Sequence, residues 1–199
     1  MKSYNEKRDF SKTSEPRDEP SKKKNEKPIF VIQKHDATNL HYDFRLEIDN
    51  TLKSWSVPKG PSTDPSVKRM AIPTEDHPIA YASFEGVIPK GEYGGGTVMI
   101  WDTGTIESNK KDEHGQVISL EDSFKAGSIE VTLHGKKLKG GYNLVEMKGG
   151  KMKGNWLLMK QDDAEADARR KPVSTQSKSV TSGRTLNEIA QEETKTSSK

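Results

Sequence analysis

Between Pro28 and about Lys160, apolar and polar positions alternate in short runs. Each run is broken by glycine, proline or aspartate. The runs are Ile29–Gln33, His41–Ile48, Thr97–Trp101, Ser128–Leu133, Tyr142–Met147 and Trp156–Lys160. Period-two alternation places one set of side chains on each face of a strand. Asp102-Thr103-Gly104, Gly140-Gly141 and Gly149-Gly150 read as turns. No long helical period separates them. Many short strands with regular breaks predict a mainly β domain over 28–161, a small barrel or sandwich. The flanks are different. Residues 1–27 are rich in Lys, Glu, Ser and Pro, and composition alone reads them as a mobile arm. Residues 162–199 are again poor in apolar positions and read as a disordered tail, with at most a transient helical turn at Leu186–Ile189.

Composition agrees with a domain plus tails: of 199 residues, 30% are hydrophobic and 32% charged, too polar for one compact globule. The chain has no cysteine, which excludes disulfides, thiolate catalysis and metal sites built on sulfur. No apolar run approaches the roughly 20 residues of a membrane helix, and the polar N-terminus does not read as a signal peptide. The expectation is a soluble cytoplasmic protein, associated with the nucleoid and with no membrane partner. The net charge of +3 resides in the arm, where nine Lys and Arg face six Asp and Glu and where Lys22-Lys23-Lys24 forms a run. Residues 28–161 balance at 17 of each sign, which argues against a surface that coats DNA broadly.

The chemistry concentrates in His41-Tyr-Asp-Phe-Arg-Leu-Glu-Ile48. Tyr42, Phe44, Leu46 and Ile48 share one face, and His41, Asp43, Arg45 and Glu47 the other. A solvent-facing strand accounts for this spacing, but such faces usually carry Lys, Glu, Thr and Ser. His35 lies six positions earlier. Two imidazoles and a carboxylate suit Mn, Fe(II) or Zn with open positions, although the spacing is no sharp motif. His77, in Glu75-Asp-His-Pro78, is either a polar-turn residue or part of the same site. Lys59 and Arg69 precede it and Tyr81 follows. His114 and His134 read as surface residues. The glycine-rich stretch Gly86–Gly96 fits neither a Walker nor a dinucleotide loop and reads as a tight structural turn. Trp55, Trp101 and Trp156 belong to the core or support the cleft.

Several segments together resemble the phosphoesterase domain of the bacterial and archaeal end-joining DNA ligase D family. They are Phe30–His35, His41–Glu47, Leu52–Pro61, Glu75–Pro78, Phe84–Gly94, Thr97–Gly104 and Asn155–Lys160. Arg8-Asp-Phe10 and Thr13–Pro16 extend the match into the arm, and with no polymerase or ligase sequence present the chain resembles the stand-alone form. The resemblance implies a compact β-barrel with a polar channel and a manganese-dependent, monomeric enzyme. It would remove 3′-terminal ribonucleosides and 3′-phosphates from nucleic acid ends, ahead of a separate DNA ligase or polymerase. Position by position it implies His35, His41 and Asp43 as metal ligands. Arg45, His77 and Tyr81 would contact the phosphate or a water on the metal. Lys59 and Arg69 would hold a phosphomonoester, and Gln33 and Glu75 would support the site. Arg8, Asp9 and Glu15 would bring about residues 5–16 of the arm against the channel, with 17–27 left as a flexible link. The rival readings are a non-catalytic module that binds DNA ends and recruits a ligase or polymerase, and an oxygen-activating iron enzyme with the same donor set.

Overall fold

The computed structural model describes residues 4–19 and 27–196, with side chains as far as 192; the Lys22–Lys24 run lies outside the described residues. The strands are β1 (Ile29–Asp36), β2 (Leu40–Ile48), β3 (Thr51–Val57), β4 (Lys68–Pro73), β5 (Gly86–Ile88), β6 (Gly96–Ser108), β7 (Ser128–Gly135), β8 (Lys139–Glu146) and β9 (Trp156–Lys160). They pair antiparallel in the order β1-β2-β3-β4-β9-β8-β7-β6, and β6 pairs back to β1. Eight strands therefore close into a barrel without open edges. The short β5 pairs with the start of β6.

The alternation of β2 explains the two layers around the site. Tyr42, Phe44, Leu46 and Ile48 point into the barrel, with Phe30, Ile32, Trp55, Met99 and Trp101. All three tryptophans are buried in this core cluster. The opposite face of β2 does not meet solvent. Asp43, Arg45 and Glu47 are buried there. A second apolar group of Tyr4, Val31, Leu52, Tyr81, Phe84, Ile88, Val98 and Ile100 packs alongside them. Polar side chains in such a layer must find partners within the protein.

Three strands were not legible in the hydropathy pattern. β3 follows a two-residue turn in which Asp49 and Asn50 both have positive φ (53° and 56°), the conformation that tight hairpins favour. β4 opens on two charged residues, and β5 is hidden in the glycine-rich stretch. That stretch is the structural turn expected of it. At Gly96 (φ +146°) an added Cβ would lie 2.3 Å from the Asp36 carbonyl oxygen, so the strands meet there only with glycine.

The C-terminal segment differs from its expected disorder. It carries α2 (Pro172–Thr175) and α3 (Leu186–Thr196), which follow the short α1 (Leu120–Lys125). Ile189 is buried in the core cluster, with Val173 and Leu186 packed against it. Trp101 Nε1 donates to the Gln176 carbonyl at 2.7 Å, and the Val180 amide donates to the Ile100 carbonyl at 3.0 Å. Few apolar residues suffice because fixed groups on the barrel pair with the segment's backbone.

Candidate active site

His35 and His41 are direct cross-strand partners in the β1–β2 hairpin, and the next pair on that face is Gln33 with Asp43. The six-residue spacing is thus a tight connection between β1 and β2. Asp43 Oδ2 lies 3.5 Å from His35 Nδ1, and Oδ1 lies 3.5 Å from His41 Nε2. Donor atoms of all three residues fall within 4.8 Å of one another, the one such group among the described residues. A cation bound at roughly 2 Å from each donor needs about this separation. His41 Nδ1 lies 2.8 Å from the Asn39 carbonyl and donates to it, which leaves the Nε2 lone pair facing Asp43. His35 Nε2 is buried without a hydrogen-bond partner. The donor set therefore fits a divalent ion, with positions left open for other ligands.

Arg45 is the next residue on this face. Its Nε donates to Gln33 Oε1 at 2.8 Å, Nη2 to Asp43 Oδ2 at 3.0 Å, and Nη1 to His77 Nδ1 at 2.9 Å. Burial alone would push the Asp43 carboxyl up, but Arg45, His35 and His41 outweigh it and hold the group well below the usual carboxylate range. Burial lowers His41, and the hydrogen bond and charge of Asp43 more than compensate, so its net shift is upward.

His77 reaches the site through a bridge with β3, in which Leu52 N donates to the His77 carbonyl at 2.9 Å and His77 N to the Leu52 carbonyl at 3.1 Å. Its Nδ1 lies 2.9 Å from both Arg45 Nη1 and the Glu75 carbonyl. A guanidinium can only donate, so Nδ1 accepts from it and the neutral ring carries its proton on Nε2. Burial, then the charges of Arg45 and Arg8, hold His77 well below the ordinary histidine range. Tyr81 lies in the 3₁₀ turn Ile79–Ser83, with its ring 5.0 Å from the Arg45 guanidinium and 4.6 Å from the His77 ring. Gln33 Nε2 anchors that turn by donating to the carbonyls of Tyr81 and Phe84 at 3.1 and 2.9 Å. Burial pushes the Tyr81 phenol well above its ordinary value.

The arm closes one side of this cluster. Arg8 pairs with Glu15 and with Glu75, each at 2.8 Å, and Lys7 pairs with Glu75 at 2.8 Å. Tyr4 packs on His77, Tyr81 and Phe10 with centroid separations of 5.3, 6.0 and 6.3 Å. Tyr4 and Lys7 were not among the residues expected from sequence, and no local pattern marks them. Asp9 is exposed and accepts from Ser11 within the arm's own turn. Lys59 is exposed, and Arg69 pairs with Leu158 across β4–β9. No hydrogen bond or ion pair among the described residues joins either of them to the His35–His41–Asp43 group. His114 and His134 are exposed, as expected.

A family profile described as the DNA Ligase D 3′-phosphoesterase domain matches residues 33–146, a span that includes His35, His41, Asp43, Arg45, His77 and Tyr81. The chain belongs to this family. A relative in Pseudomonas aeruginosa, the multifunctional non-homologous end joining protein LigD, is 42% identical over 186 residues, covering 92% of this chain and 21% of the relative. LigD of Mycolicibacterium smegmatis is 44% identical over 163 residues, covering 82% of this chain and 21% of the relative. The multifunctional non-homologous end joining DNA repair protein LigD of Mycobacterium tuberculosis is 43% identical over 159 residues, 80% of this chain and 20% of that protein. The phosphoesterase-family chain thus spans about a fifth of the length of these relatives. No helix among its described residues is long and apolar enough to cross a membrane.

Proposed function

We propose that this domain is a metal-dependent phosphoesterase that heals the 3′ ends of nucleic acid, removing a terminal 3′-ribonucleoside or a 3′-phosphate to leave a 3′-hydroxyl. By the same reading it serves end-joining DNA repair, preparing ends for a ligase or polymerase, as the names of its LigD relatives suggest. One observation carries the proposal: a three-donor cation site shares a strand face with a buried guanidinium that touches its carboxylate. Phosphate esters need positive charge on both sides of the reacting centre.

His35, His41 and Asp43 would hold the ion, manganese in this proposal; when bound, it supplies Lewis acidity toward a phosphate oxygen and acidifies water. Arg45 has five N–H donors and uses three on Gln33, Asp43 and His77, leaving donors for a phosphate oxygen. The Nε2–H of neutral His77 can donate to a phosphate oxygen or to the departing oxygen. The Tyr81 phenol stays protonated and donates in the same region. Lys59 and Arg69 would add charge for a terminal phosphomonoester.

The test is a primer–template bearing one 3′-ribonucleotide or a 3′-phosphate, incubated with manganese. Both substrates should end as 3′-hydroxyls. His41→Ala and Asp43→Ala should abolish turnover while keeping a folded β signature by circular dichroism. Full activity of either variant in excess manganese overturns the ligand assignment. Tight binding of the ends by the wild-type chain without any turnover favours the end-binding module instead.

A further inference from the structure

Charge over residues 28–161 is balanced in number, yet it is not evenly spread over the barrel. The metal-ligand hairpin turns at one barrel end, where β1 finishes and β2 begins. The β3–β4 connection, the β7–β8 turn and the chain leaving β9 lie at that same end. Lys34, Lys136, Arg170, Lys171 and Lys178 gather there around Lys137. Lys137 Nζ donates to the carbonyls of Gln176 and Lys178 at 3.1 and 2.6 Å, and Arg170 donates to the Lys137 carbonyl. Lys136 Nζ donates to the Val180 carbonyl at 2.8 Å. Lys34, beside the ligand His35 in β1, lies over the Tyr42 ring at 5.8 Å, and its charge acts on Lys137. The Tyr42 hydroxyl donates in turn to the Val173 carbonyl at 3.3 Å, between Lys171 and Lys178.

None of these five cations forms an ion pair with a carboxylate among the described residues. Four carboxylates at this end have other partners, although the charge of Lys171 still acts on Asp64. Asp163 takes Lys160, and Asp167 takes Arg169. Asp64 accepts from Ser66, and Asp102 from the amides of Lys136, Lys137 and Leu138. Unpaired cations held close together repel, and a visiting polyanion relieves that repulsion. They stand on separate elements, β1, the β7–β8 turn and the 170–178 segment, and do not converge on one point as they would around a small anion. A cleft of about 350 Å³ opens beside Lys137, lined by Gln176, Lys178 and the hydroxyl residues Thr175, Ser177 and Ser179. Ammonium and hydroxyl donors of this kind hold sugar-phosphate backbone without reading sequence.

We propose that this basic shelf binds the backbone of the duplex that carries the 3′ end, so that the terminal nucleotide crosses the barrel rim at Lys34 to reach His35, His41 and Asp43. The destination of that nucleotide rests on the phosphoesterase reading of the site. The packed C-terminal segment supplies Arg170, Lys171 and Lys178, and so becomes part of the substrate surface.

The test titrates the full chain, with a chelator to prevent turnover, against a labelled duplex with a recessed 3′ end over a salt series. The wild type is compared with a quadruple variant, Lys34→Gln, Lys136→Gln, Lys171→Gln and Lys178→Gln, and with the same four positions changed to Arg. Each lost phosphate contact removes about 0.9 from the slope of log affinity against log salt. The glutamine variant should lose about 2 to 4 in slope and at least about tenfold in affinity at about 0.1 M salt. The arginine variant should keep both. A 3′-phosphomononucleotide, too short to span the shelf, should be hydrolysed equally in manganese by wild type and by a triple variant that keeps Lys34 (Lys136→Gln, Lys171→Gln and Lys178→Gln). An unchanged slope in the glutamine variant overturns the shelf, and so does an equal loss in the arginine variant. A wild type that cleaves no 3′ end, with the slope difference intact, removes the site reading and supports the shelf.

Discussion

Arg45 organises more of the site than either imidazole does. It touches the Asp43 carboxylate, a neutral histidine and a glutamine that ties down the Tyr81 turn. The alternation of β2 marks Arg45, His41 and Asp43 in the sequence. It leaves Gln33 as an unremarkable polar end to an apolar run, because its value lies in three contacts made to residues 12 to 51 positions away. Lys59 and Arg69 stand apart from this cluster, and their proposed role is specific to substrate charge. A terminal phosphomonoester carries about one more negative charge than a diester near neutral pH, its second pKa being about 6. Lys59→Ala and Arg69→Ala should therefore reduce 3′-phosphatase turnover at least about tenfold more than ribonucleoside removal, a difference of roughly 1.4 kcal/mol. Side-by-side rates on the two substrates check this; equal losses count against it.

At the scale of elements, two segments that composition marks as tails are packed on the barrel. The arm is held by charge as well as by the apolar packing of Tyr4 and Phe10. Arg8 is nearly buried between Glu15 and Glu75, so Arg8→Ala leaves two carboxylates without their guanidinium. Breaking a buried pair on one side costs about 3 kcal/mol or more. The arm should then lift from His77 and Tyr81, become open to limited proteolysis, and leave turnover on 3′ ends reduced by about tenfold or more. Deletion of residues 1–16 should do the same. A truncated chain that cleaves as fast as the intact one makes the arm a mere tail. For the C-terminal segment the decisive residue is Ile189, which is 1% exposed. Ile189→Ala should lower the unfolding free energy by about 2 to 4 kcal/mol, as for other buried aliphatic truncations. A disordered tail would show no change in chemical denaturation.

The whole molecule is a closed barrel with a polar cluster buried on its outer face, and that arrangement ties stability to pH. His77 has a folded pKa well below that of an exposed histidine, chiefly through burial. Below about pH 6.5 the unfolded chain takes up a proton that the folded chain refuses, so unfolding becomes easier as pH falls. Metal-free protein should lose up to about 1.4 kcal/mol per unit below pH 6.5 from this group. His77→Gln, whose amide oxygen can still accept from Arg45, should flatten that slope in urea titrations; an unchanged slope refutes the assignment. His41 is shifted upward, so its linkage acts above pH 6.5 and in the opposite sense.

The sequence by itself determined the β class, the inward face of β2 and the candidate ligands, because period-two alternation and residue chemistry are local properties. Of the three expected turns only Gly149-Gly150 lies between strands; Asp102-Thr103-Gly104 runs inside β6 and Gly140-Gly141 inside β8, where pairing on both sides overrides local turn propensity. Only the tertiary structure decided that His35 and His41 are cross-strand partners and that the polar face of β2 is buried. The same holds for the fixing of Arg45 by Gln33 and His77, and for the docking of the arm and the C-terminal segment. Those outcomes depend on strand register and barrel closure, which bring residues distant in sequence together, and on hydrogen bonds and ion pairs that leave no periodic trace in the chain.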